Sequence, residues 1–164
     1  MKWKIMGRAE LIKFSHKPPT NSDKIAVISI NDMDLHPVRI YNGNSNILFM
    51  LNLQFDDVYA NEPNAMTISD ADKILEFYDK IRDKVDMIIV QCEAGVSRSA
   101  GICTALMTIE GEDDMIVFRD PKYAPNRHCY YTILERYFGS LPNHDYKFVE
   151  NVNAYRKQEG LDDE

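Results

Sequence analysis

The sequence predicts an α/β domain with a mostly parallel central sheet flanked by helices. Three observations carry this. Short, β-branched apolar runs occur at 24–30, 47–53 and 87–90. Apolar residues at helical spacing lie between and after these runs. Strands that alternate with helices pair in parallel, because each crossover returns the chain to the same end of the sheet.

Taken in order, residues 5–13 are read as an early strand. The run at 24–30, Lys-Ile-Ala-Val-Ile-Ser-Ile, and the run at 47–53, Ile-Leu-Phe-Met-Leu-Asn-Leu, read as buried strands. Ser69-Asp70-Ala71-Asp72 marks a helix start, with acids where the helix dipole favours them. Ile74, Phe77, Tyr78 and Ile81 then fall on one face. Met87-Ile88-Ile89-Val90 is a compact buried strand. Ile102, Ala105, Leu106 and Ile109 mark a second helix, and Tyr130, Ile133, Leu134, Tyr137 and Phe138 a third. A fourth is expected at about 144–157. One domain spans 1–164, with a core of about 5–157 and an acidic tail at 158–164.

Of the 164 residues, 45% are hydrophobic, enough for a real core. The formal net charge of −7 argues against a nucleic-acid binder, because a phosphate backbone would be repelled overall. No apolar run is long enough to span a membrane, and the basic start, Met1 to Arg8, has no apolar stretch after it, as a signal peptide would. Three cysteines make no disulfide framework, so a cytoplasmic protein with free thiols is expected. His36, His128 and His144 show no ligand spacing. No metal, cofactor, membrane or nucleic-acid partner is expected, and the chain is expected to be a monomer. Asp113-Asp114 is read as a solvated helix start.

The chemistry is expected beyond the carboxyl end of strand 87–91, where open α/β sheets bind ligands. That segment reads Gln91-Cys92-Glu93-Ala94-Gly95-Val96-Ser97-Arg98-Ser99-Ala100-Gly101. A helix start offers unpaired N–H groups and the positive end of a dipole to an anion. The five residues between Cys92 and Arg98 can wrap one tetrahedral oxyanion, so Glu93, Ala94, Gly95, Val96, Ser97 and Arg98 are the candidate phosphate ligands. Gly95 permits a backbone shape that a bulkier residue resists. Arg98 can hold two phosphate oxygens through its planar fork. These groups favour a thiolate at Cys92, the nucleophile, and Ser99 is placed to hydrogen-bond its sulfur. Cys103 and Cys129 read as packing residues.

Cys92-x-x-Gly95-x-Ser97-Arg98-Ser99 resembles the Cys-x5-Arg-Ser/Thr phosphate loop of the protein tyrosine phosphatase superfamily, and most of all the small dual-specificity phosphatases. Outside the loop the resemblance is one of layout, over roughly residues 24–138. It implies a cysteine-based phosphatase fold and hydrolysis of phosphomonoesters on proteins or small molecules through a cysteinyl-phosphate, without metal or cofactor. It departs at Gln91, where the family usually has histidine. Gln can also donate a hydrogen bond, so activity is expected to survive.

The family's general acid is an aspartate on an earlier loop, some thirty-odd residues before the cysteine. Here Asp57 lies 35 residues before Cys92 and Asp56 lies 36 before it. Asp57 is preferred and Asp56 stays open. Pro125-Asn126-Arg127 reads as the turn into a helix, bordering the pocket at most. Three rival readings remain: a non-catalytic phosphate-binding module, a sulfur transferase, and a phosphatase of non-protein substrates. The loop's Glu93 and lack of lysine weigh against phosphoinositides.

Overall fold

In the computed structural model, which describes residues 1–40 and 43–161, one parallel sheet of four strands runs in the order β1-β4-β2-β3 among the described residues. The strands are β1 (Lys2–Met6), β2 (Ile25–Asn31), β3 (Ile47–Gln54) and β4 (Met87–Gln91). The helices are α1 (Arg8–His16), α2 (Ile68–Ile81), α3 (Arg98–Glu110), α4 (Met115–Phe118), α5 (Arg127–Phe138) and α6 (Asp145–Gln158). None is long and apolar enough to cross a membrane. Of the C-terminal segment read as an acidic tail, residues 162–164 lie outside the described residues.

Period-two alternation sends each strand's side chains into two separate cores. Ala26, Ile28 and Ile30 of β2 and Ile88 and Val90 of β4 enter the larger one, with α2, α3 and α5. Ile25, Val27 and Ile89 enter the smaller one, with Leu11 of α1 and Val38. Every residue of β2 is buried, which is why it reads as a continuous apolar run. Truncating a side chain such as Ile28 to Ala would cost about 2–5 kcal/mol, because the packed layers cannot close the cavity.

The early strand expected at 5–13 lies instead at 2–6, and 8–16 is helix. Among the described residues β1 is an edge strand, paired only with β4, and its exposed Lys2 and Lys4 keep it from forming an apolar run. Charge on an edge also discourages pairing with another chain. The helix start expected at Ser69 comes two residues earlier, at a Thr67 N-cap. Asp70 N–H donates to Thr67 Oγ1 (3.1 Å) and Thr67 N–H to Asp70 Oδ2 (2.9 Å), a reciprocal capping box.

Asp113-Asp114 is a helix start, but only Asp113 is solvated; its Oδ1 accepts from Met115 N–H. Asp114 is 4% exposed and its Oδ2 accepts from Lys147 Nζ at 2.7 Å. That partner lies on α6, 33 residues away, where no local pattern could reveal it.

Candidate active site

β4 is an inner strand, and its carboxyl end runs straight into residues 92–97 before α3 begins at Arg98. Gly95 makes the bend. Its φ is +71°, and a Cβ there would sit 2.4 Å from Gly7 N and 2.6 Å from the Met6 carbonyl carbon. Only glycine fits where the loop passes the end of β1.

Three of the loop's carbonyls are taken by neighbouring segments. Those of Glu93, Val96 and Ser97 accept from the amides of Arg8, Ala124 and Asn126. Among the described residues, none of the amides of residues 93–98 donates a backbone hydrogen bond, so the donor side of the peptide units remains for an anion. Ser97 sits at the N-cap position of α3 without capping it, because its hydroxyl donates to Asp57 Oδ1 at 2.7 Å.

Cys92 is 2% exposed, and its Sγ lies 3.0 Å from Ser99 Oγ. Cys103 and Cys129 are also buried, and burial pushes both thiols up, away from reactivity. Arg98 is 4% exposed. Its Nη1 donates to Phe55 O at 2.7 Å and lies 2.7 Å from Asp32 Oδ1. Its Nε, buried, has no partner. Among the described residues it is the one buried side-chain nitrogen or oxygen left unsatisfied. A buried donor without an acceptor costs free energy, so an acceptor placed there would be stabilised.

The two candidate acids differ in where they point. Asp57 is exposed, and its Oδ1 accepts from both Ser97 Oγ and Asn126 Nδ2, the latter at 2.8 Å. Its Oδ2 has no hydrogen-bond partner among the described residues. Asp56 turns the other way: Oδ1 accepts from Met33 N–H (3.0 Å) and Oδ2 from Asn64 Nδ2 (3.2 Å). The structure thus brings together Cys92, Arg98, Ser99, Ser97 and Asp57, and leaves Asp56 in the adjoining loop.

Gln91 does form the loop-anchoring bond. Its Nε2 donates to Cys92 O at 3.0 Å, and its Oε1 accepts from the Ser29 hydroxyl. Asn31 extends the chain, donating to Ser29 Oγ (3.4 Å) and accepting from Arg8 Nη1 (3.0 Å). The roles of Asn126 at Asp57 and of Asp32 at Arg98 are not visible in the sequence. Asn126 was legible as a helix start, and it does cap α5 through Cys129 N–H. Its second bond, to Asp57, spans 69 positions. Asp32 carried one usable signal: an acid at the carboxyl end of a strand, the end at which Cys92 also emerges.

No protein-family model matches the chain, and no curated protein matches its sequence. It is similar to three solved structures. Tk-PTP in its active form shares 15% identity at a TM-score of 0.44, over 96% of this chain and 90% of that one. PTPMT1 in complex with PI(5)P shares 13% at 0.39, over 84% and 80%. A mouse protein described as a dual specificity phosphatase, complexed with zinc tungstate, shares 15% at 0.36, over 94% and 79%. These are distant likenesses of layout, and the chemistry rests on the site itself.

Proposed function

We propose that the protein is a cysteine-dependent phosphomonoester hydrolase of the tyrosine or dual-specificity kind. The observation that carries this is the unpartnered Nε of buried Arg98, at the end of a loop whose amides are free and whose first residue is Cys92. A tetrahedral oxyanion there would satisfy Nε and the amides together.

The reaction has two steps. The Cys92 thiolate attacks phosphorus in line, the S–P bond forms, and the P–O bond to the leaving group breaks. Asp57 gives its proton to that oxygen from Oδ2, while Ser97 and Asn126 hold Oδ1. Water then attacks the cysteinyl-phosphate, Asp57 takes the proton, and the S–P bond breaks. Ser99, 3.0 Å from Sγ, donates to the departing thiolate. The loop amides and Arg98 stabilise the charge on the transferring group.

Aryl phosphate hydrolysis tests this. Cys92→Ser protein should be inactive, and turnover at the wild-type rate would sink the proposal. Asp57→Ala should lower kcat by about 100-fold or more, with a steeper dependence on leaving-group basicity, because a general acid matters most for poor leaving groups. Asp56→Ala should keep the wild-type dependence. Equal steepening in both variants would undo the assignment of the acid.

A further inference from the structure

Arg98 is held from outside its own loop. Its Nη1 meets Asp32, which follows β2, and the carbonyl of Phe55, which follows β3. Neighbouring residues tie the same three segments a second time: Met33 N–H donates to Asp56 Oδ1, and Ser97 Oγ donates to Asp57 Oδ1. Adjacent pairs 32–33, 56–57 and 97–98 thus close a ring of contacts around the base of the site.

The guanidinium is planar, with its donors in a fixed fork. One acceptor, the Phe55 carbonyl, and one carboxylate in contact, that of Asp32, set both the position and the plane of the group, and so fix where the unpartnered Nε points. We propose that Asp32 is a positioning residue for oxyanion binding, holding Arg98 by Nη1 so that the Nε side of its fork is free for the oxyanion.

A carboxylate beside an anion site could instead repel the anion. Two features decide against that as the dominant effect. Asp32 is partly exposed, at 28%, so water screens its long-range repulsion. The side chain it holds is 5% exposed, where loss of the carboxylate leaves a buried cation without its counter-charge. Orientation therefore outweighs repulsion.

This role rests on the phosphatase reading only for its effect on rate; binding can be measured without turnover. The probe is tungstate, a tetrahedral oxyanion, titrated calorimetrically into the full chain. Asp32→Ala should bind it about tenfold more weakly, the scale of one charge-assisted contact. Asp32→Asn, which keeps an oxygen in the same place and discards the charge, should stay within about threefold of wild type. Added to Arg98→Lys, Asp32→Ala should cost less than about twofold more, because a residue acting through Arg98 has nothing left to act on. Asp32→Ser replaces the alanine variant if that does not fold.

Unchanged or tighter binding by Asp32→Ala would overturn the proposal, as would an equal loss in the Arg98→Lys background. Wild-type protein that binds tungstate but hydrolyses no aryl phosphate would refute the phosphatase reading and leave this role standing. Protein that binds no tungstate would refute both.

Discussion

Among the described residues two cations are buried, Arg98 at 4% exposure and Lys147 at 6%. Each meets a carboxylate at 2.7 Å. Around Lys147 everything is satisfied. Asp114, itself buried, also accepts from the Thr108 hydroxyl, and the ammonium lies over the rings of Phe118 and Tyr130. Burial disfavours its charge, but its bonds to Asp114 and Tyr130 outweigh that, and its pKa is raised. Around Arg98 the acid is partly exposed and one donor has no partner. The same kind of pair serves as a closed joint in one place and as an unfinished one in the other. A buried charge that is completely matched belongs to the fold, and one left a donor short can take an acceptor from outside the chain.

The comparison is most exposed at Arg98. Arg98→Ala should lower kcat/KM by about a thousandfold, on the scale of lost oxyanion stabilisation, yet change stability by less than about 2 kcal/mol. Paired kinetics and denaturant melts would show the split. Lys147→Met should do the reverse. It should remove about 3–5 kcal/mol of stability by stranding Asp114, and Asp114→Leu beside it should restore most of the loss. The kcat/KM of its folded fraction should stay within about threefold of wild type, because the pair makes no contact with the loop. A large stability loss at Arg98 or a large activity loss at Lys147 would collapse the distinction.

The smallest effect concerns pH. Burial and the Lys147 charge lower the His144 pKa, and Asp114 opposes them; the Tyr130 hydroxyl lies 2.6 Å from its Nδ1. The folded state prefers neutral His144, so its contribution is present above the unfolded value of about 6.5 and is lost as pH falls through the lower folded value. The Tm of wild-type protein should therefore drop more on acidification than that of His144→Gln. A parallel drop in both would remove His144 from the joint.

What the sequence revealed follows how far its interactions reach. β2, β3 and β4 were legible because each is a run of apolar residues, and residues 92–99 because they are contiguous. β1 was not, since its lysines break the run. Asp114 and Asn126 read as ordinary helix-start residues, and Asp32 stands in no motif. Their partners lie on other elements, at Lys147, Asp57 and Arg98, and only folding brings them within bonding distance. The choice between Asp56 and Asp57 was open for the same reason: neighbours in sequence, they point to opposite sides of their loop.

Gln91 has one more consequence. An imidazole beneath the loop would gain or lose a proton near neutrality, and its donors would change with it. A carboxamide does not titrate. Ser29 and the Cys92 carbonyl therefore see the same partner in mildly acidic and mildly basic solution. At Gln91 the footing of the loop is indifferent to acidity.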